Sequence, residues 1–259
     1  MTTNLTEFYG RGTDEDTRLT RSPHGRLEFL RTRELVRRAL DGNALRILDV
    51  GGGTGVHARW LAAEGHFVHV VDPVPRHVEA AAAIPGVTAE PGDARALPWP
   101  DASADVVLLF GPLYHLVEAG DRATALTEAL RVLRPGGVVC AAAIGRYLSL
   151  LETGTTGRLD ARMAAAVGEV VGTGTYDGHV GFVPAHFHTA AELRAEVRAA
   201  GVRDVDVFGV EGPAWAALDI ATADLRDEHL DSALRCARMV ERDPHLINAS
   251  AHLLAFGKA

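Results

Sequence analysis

The stretch that most constrains this chain is residues 46–63, RILDVGGGTGVHARWLAA, where an apolar run breaks into glycines and resumes with helical spacing. Ile47, Leu48 and Val50 are β-prone, as expected of a central parallel strand covered on both faces. The glycines at 51, 52, 53 and 55 leave no side chain between the turn and a ligand. Val56, Trp60 and Leu61, with Ala58 and Ala62 beside them, keep helical spacing. The free amides of that helix therefore point at whatever the turn holds. Strand, tight turn and helix in this order predict a nucleotide-sized cradle.

Which nucleotide it takes depends on the acids around it, because Gly53, Gly55 and Ala58 also satisfy the looser dinucleotide fingerprint. Asp49 stands two residues before Gly51, where a carboxylate would repel a pyrophosphate but suit a cationic or amine-bearing ligand. Two further acids close strand-like runs, Asp72 in HFVHVVD and Asp93 in VTAEPGD. Asp72 lies 17 residues after Gly55, about where a doubly wound fold places the acid that takes ribose hydroxyls. Asp93, followed by Ala94, is placed to meet the base.

The ordered set LDVGGGTG, VVDPVP, GDARALPW, DVVLLFGPLYHL and RVLRPGG resembles class I S-adenosylmethionine-dependent methyltransferases, most specifically over residues 45–145. The flanking RLEFLRTRELV and HFHTAAELRAEVRAAG segments resemble a bacterial subgroup marked by the GPLYHL motif. This resemblance implies S-adenosylmethionine as cofactor, with S-adenosylhomocysteine as product. It places Asp49, Gly51, Gly52, Gly53 and Gly55 at the methionine and ribose end. Asp72, followed by Pro73, would hold the ribose hydroxyls, and Gly92, Asp93 and Ala94 the adenine. Phe110, Gly111 and Pro112 would line the floor of the reaction site. In related methyltransferases the N-terminal segment often folds over the cofactor, and Tyr9, Arg18 and Arg26 are placed in sequence to touch it.

Methyl transfer from a sulfonium is an in-line displacement that rests largely on alignment. A hydroxyl or ammonium acceptor also needs a base, for which histidine is suited near neutral pH. His115, in FGPLYH, is the candidate base or substrate ligand, and Tyr114 could offer an aromatic face to the sulfonium; both could equally be packing residues. Two other classes stay open. One is a protein of the same scaffold that binds the cofactor without methyl transfer, in cyclisation, rearrangement or a binding role. The other is a nicotinamide-dependent oxidoreductase.

Length and charge narrow the partners. The 259 residues suit one α/β domain, and a net charge of -8 gives no basic footprint for nucleic acid. No apolar run approaches the ~20 residues of a membrane span, and the start lacks a signal-peptide pattern. Cys140 and Cys236 have no metal-like spacing and are expected as free thiols in a reducing cytoplasm. His186 and His188, with His179 nearby, lack an evident acidic partner, so no metal is expected. The reading is a cytoplasmic monomer or homodimer acting on a small molecule, without nucleic-acid or membrane partners.

The fold expected is α/β: a doubly wound, mostly parallel seven-stranded Rossmann-like sheet with helical cap insertions. Residues 1–42 form an N-terminal lid and helix, opened by Ser22 and Pro23. Residues 43–145 form the cofactor-binding core, with strands at 67–72, 87–92, 104–110 and 138–144 and a helix over 121–133 capped by Asp121. Residues 146–188 are a cap insertion with a helical piece. Residues 189–259 complete the sheet with strands at 205–210 and 250–256, start with a Thr189–Glu192 capping box, and carry a helical insertion at about 212–246. Both insertions and the N-terminal segment are expected to converge above the carboxyl ends of the strands, where ligands of open α/β sheets bind.

Overall fold

The computed structural model describes residues 6–9, 15–178, 181–218, 220 and 226–259; His179 lies outside them. The apolar run at the start of the glycine stretch becomes β1 (Arg46–Val50), buried after its first residue. Its companions are β2 (Phe67–Asp72), β3 (Val87–Pro91), β4 (Ala104–Leu109) and β5 (Leu133–Ile144). A two-stranded ribbon, β6 (Thr175–Tyr176) and β7 (Ala185–His186), precedes β8 (Val205–Gly209) and β9 (His252–Lys258). The seven-stranded sheet has the order β3-β2-β1-β4-β5-β9-β8. Ladders among the first five strands are parallel, and β9 runs antiparallel to both neighbours.

β3, β4 and β8 each end one residue before the expected limit, β9 ends two after it, and two strands start elsewhere than expected. β5 starts at Leu133, which pairs with Ala104 before the register shifts and Val138 takes up Val106. β9 starts at His252, shortly after a turn of 3-10 helix over Ile247–Ala249; between them Ser250 Oγ accepts the Gly212 N–H at 2.7 Å and the Ala251 carbonyl accepts from Gly145 at 2.7 Å.

The helices are α1 (Glu15–Arg21), α2 (Pro23–Ala39), α3 (Val56–Ala63), α4 (Pro75–Ala82), α5 (Pro112–His115), α6 (Ala119–Val132), α7 (Leu148–Thr155), α8 (Ala161–Thr173), α9 (Ala190–Ala199), α10 (Trp215–Leu218) and α11 (Arg226–Val240). At the head of α2, Ser22 Oγ accepts the Gly25 N–H at 3.0 Å. α9 carries the reciprocal Thr189–Glu192 capping box. α6 begins two residues before the expected cap: Asp121 sits in its first turn and receives Arg95 Nη1 at 2.9 Å.

Alternation along β1 divides the core into two layers. Leu48 and Val50 join Val107, Leu126 and Leu193 under α6 and α9. Ile47 joins Val68, Val70 and Leu108 under α2, α3 and α4 through Leu35, Leu61 and Ala81. β4 serves both layers and is buried throughout. The helical insertion docks elsewhere: Trp215, Leu218, Leu230 and Ala233 pack with Leu27 of α2. Tyr176, Ala185 and Phe187 bring the ribbon to Ile144, at the end of β5. Among the described residues no helix is long and apolar enough to cross a membrane.

Candidate active site

Strand order reverses between β1 and β4, which opens a crevice at their carboxyl ends. A cavity of about 510 Å³ occupies it, within the range of small-molecule sites. The glycine turn forms one wall. Gly53 has φ +57° and a Cβ built there would meet nothing within 4 Å, so its backbone faces open space. Beneath the turn, a Cβ on Gly52 would lie 2.6 Å from the Asp49 carboxylate. Asp49 is fully buried, and neither oxygen has a hydrogen-bond partner. Burial, with the Asp72 charge adding, pushes its carboxyl up to about 7.

The end of β2 forms the next wall. Asp72 Oδ2 accepts the Gly53 N–H at 3.0 Å, while Oδ1 accepts the Val74 N–H at 2.9 Å and faces His77 Nδ1 at 3.1 Å. Beyond β3, the Arg95 guanidinium takes both oxygens of Asp93, at 3.0 and 2.6 Å, and bridges to Asp121. Those bonds hold Asp93 below the usual carboxylate range.

α5 places Tyr114 and His115 against the same space, and the N-terminal segment and the loop before β7 add Tyr9, Val183 and Pro184. Tyr9 Oη lies 3.1 Å from His115 Nε2. The other ring nitrogen, Nδ1, is buried without a partner, and burial pushes the imidazole down to about 4 despite Asp72. Tyr114 donates its hydroxyl to the Phe110 carbonyl at 3.2 Å, which turns its ring against His115 with centroids 4.5 Å apart.

These residues fit S-adenosylmethionine on their own chemistry. An open Gly53 backbone admits close approach, Asp72 Oδ2 keeps a lone pair for a hydroxyl, and the unpartnered Asp49 carboxylate, when ionised, sets a negative field behind the glycine turn that suits a cationic ligand. The comparisons agree. Residues 47–137 match the family described as "Methyltransferase domain". A ubiquinone biosynthesis O-methyltransferase of Methylobacterium nodulans is 30% identical over 189 residues, 70% of this chain and 70% of that protein. The chain belongs to the S-adenosylmethionine-dependent methyltransferases.

An uncharacterized methyltransferase of Mycobacterium tuberculosis is 41% identical over 99 residues, 38% of this chain. That match spans only 39% of the relative's length. Among solved structures, a Thermotoga maritima methyltransferase described as a possible histamine N-methyltransferase aligns with 100% of this chain and 99% of its own. Its TM-score is 0.63 at 20% identity. A Mesorhizobium loti methyltransferase aligns with 90% of this chain and 100% of its own, with a TM-score of 0.58 at 21% identity.

Within this methyltransferase the cavity gathers Tyr9, Arg18, Gly51, Gly52, Gly53, Asp72, Pro73, Asp93, Ala94, Phe110, Gly111, Pro112, Tyr114 and His115. Four expected contacts do not line it. Asp49 lies behind the turn. Gly55 packs on α4, where a Cβ would stand 2.6 Å from Ile84 Cδ1. Gly92 packs on β2, 2.4 Å from Val71 Cγ1 on the same test. Arg26 faces outward, 3.3 Å from Asp227. Arg18 does line the cavity, but its guanidinium is paired with Glu28 at 2.8 and 2.9 Å. The insertion over 212–246 contributes no lining residue among those described.

Several lining residues were not expected. His57, held near pKa 4 by burial, stacks on Phe29 and meets Phe110 edge-on. Arg95 follows Asp93 by two residues, a spacing that could have flagged the pair. Glu28 and His252 carried no signal, because only folding brings α2 to β9. The expectation that His186 and His188 lack an acid is also corrected: Glu196 lies 3.2 Å from His188 Nε2.

Proposed function

We propose that this chain methylates a small-molecule acceptor inside the cavity, with His115 as the base that receives the acceptor's proton. When bound, S-adenosylmethionine supplies a methyl group on a sulfonium, an electrophile for in-line displacement. Asp49, behind the glycine turn, would act on its ammonium end only through the field of its charge, Asp72 Oδ2 would accept from the ribose, and Ala94 would face the adenine. Phe110, Gly111 and Pro112 form the floor on which the acceptor is aligned.

The observation that carries the reading is His115. It lines the cavity with one nitrogen fixed on Tyr9 and the other unpartnered. With its pKa pushed down to about 4 it is neutral at pH 7. For Nδ1 to accept a proton, Nε2–H donates to the Tyr9 oxygen. The resulting imidazolium is stabilised by the nearby Asp72 charge, the one influence that raises its pKa. Val183, Pro184 and Tyr9 wall this end of the cavity, which favours a modest acceptor over a macromolecule. The O-methyltransferase name of the Methylobacterium relative supports a hydroxyl-bearing acceptor, and the GPLYHL motif supplies the lining residues Gly111, Pro112, Tyr114, His115 and Leu116.

The test is to incubate the protein with S-adenosylmethionine and a panel of phenols, amines, thiols and small carboxylic acids, measuring S-adenosylhomocysteine and methylated product together. Product and S-adenosylhomocysteine in equal amounts support the proposal. An acceptor that is converted without any S-adenosylhomocysteine points instead to the same scaffold used for rearrangement.

A further inference from the structure

We infer that His24, Glu28, Glu211 and His252 form a binding site for a divalent transition-metal ion at the end of the cavity away from Asp72 and Asp93. His24 and Glu28 are four residues apart on α2 and so share one helix face. Glu211 follows β8, and His252 opens β9 opposite Ile144 at the carboxyl end of β5. Two hydrogen bonds from His252 fix this second pair: the backbone N–H and Nδ1 reach Glu211 at 2.9 and 2.6 Å. The His24 ring is positioned by Trp215, with centroids 4.7 Å apart.

One nitrogen or oxygen from each of the four residues lies within 4.8 Å of the other three. His24 Nε2 is 3.7 Å from Glu211 Oε1, and His252 Nδ1 is 3.9 Å from Glu28 Oε2. Ligand atoms around a tetrahedral ion with bonds of ~2.0–2.2 Å stand about 3.4 Å apart, so these separations need only small rotations. Two imidazoles and two carboxylates suit zinc, manganese or ferrous iron better than the oxygen-only preference of calcium. Arg18 binds both oxygens of Glu28 yet leaves each a lone pair. Two carboxylates against the single Arg18 guanidinium leave the fixed charges one negative, which attracts a cation, and an ion would take the place of the proton that His252 Nδ1 shares with Glu211.

Access separates this cluster from the other histidine–carboxylate group. Glu28, His252 and Arg18 line the cavity. Around His186 and His188, Glu196 is likewise held by an arginine fork, Arg122 at 3.0 and 2.7 Å, but none of these four residues lines the cavity. That group ties α9 to α6. An ion on the first cluster would sit beside β5 and β9, across the switch point from the ribose and adenine acids. There it could bind and polarise an oxygen of the acceptor. The inference concerns binding and stands whether or not methyl transfer is the reaction.

The experiment uses the full chain stripped with a chelator and titrated with zinc sulfate by calorimetry, and with cobalt chloride by visible absorption. One equivalent of zinc per chain and a visible cobalt band are expected. H24A, at a partly exposed position, and H252A should each weaken binding by more than tenfold, in line with the roughly 10- to 100-fold losses seen for even outer partners of metal sites. The H186A/H188A double variant should bind as the parent does. No binding by the parent, equal binding by H24A and H252A, or loss only in H186A/H188A would overturn the assignment. A thermal shift with S-adenosylmethionine, run on each variant, reports folding and the cofactor site independently.

Discussion

At the residue scale, burial moves the pKa of both Asp49 and His115. Asp49 has a folded pKa of about 7 against an ordinary value near 4. The native state therefore holds a proton that the unfolded chain releases, and stability from this source is lost as pH rises from about 4 through 7. Asp49→Asn cannot ionise, so at pH 8 without ligand it should unfold at a higher temperature than the parent. The same change removes a charge from behind the glycine turn and should weaken S-adenosylmethionine binding at pH 8 through the lost field alone. Calorimetry and thermal unfolding at pH 8 check both signs; unchanged affinity would remove Asp49 from the cofactor site.

His115 is shifted the other way, down to about 4. A base must be neutral, so the activity it supports should persist through pH 6 and fail only as pH drops towards 4. His115→Ala should lower turnover by ~10² or more with cofactor affinity nearly intact. A pH–rate profile whose acid limb lies near 6.5, and survives in His115→Ala, would assign the base elsewhere. His115 could be picked out in the sequence because it follows β4 within a motif. Its partners could not: Tyr9 is 106 positions away and meets it only after the chain has folded.

At the scale of elements, the glycine turn shows how a local signal and a tertiary contact reinforce each other. Gly51 has φ +70°, and a Cβ there would stand 2.7 Å from Pro112 Cδ, at the head of α5. Gly51→Ala should therefore cost about 1 to 3 kcal/mol of stability and move α5, and with it His115. Denaturant unfolding measures the first effect and kcat the second. Capping shows where local reading stops. The Thr189–Glu192 box was legible because both partners lie within one turn of helix. Asp121 was not, because its carboxylate is recruited by Arg95 from the loop after β3.

At the scale of the whole molecule, cofactor binding should stabilise the native chain. S-adenosylmethionine at 100 times its dissociation constant adds about 2.7 kcal/mol, roughly 5 to 10 °C for a chain of this size, whereas a nicotinamide dinucleotide should leave the midpoint unmoved. A shift by the dinucleotide alone would contradict the pairing of Asp49 and Asp72 with an adenosyl ligand. Such an experiment reads the crevice at the switch point, which was foreseeable from strand and helix alternation. The destination of the helical insertion was not foreseeable: Trp215 and Leu230 pack with Leu27 of α2 and Ala251, and no described residue of the insertion lines the cavity.

Sequence alone determined the strand–glycine–helix unit, the seven strands and the acids at their ends, because strand periodicity, turn chemistry and helix caps act over a few residues. It also located His115, which lies close to such a unit. Only the tertiary structure decided that Glu28 and Glu211 face His24 and His252, that Arg95 covers Asp93, and that Tyr9 reaches His115. Those meetings join residues from distant parts of the chain, and a buried charge takes whatever partner the folded backbone leaves within reach.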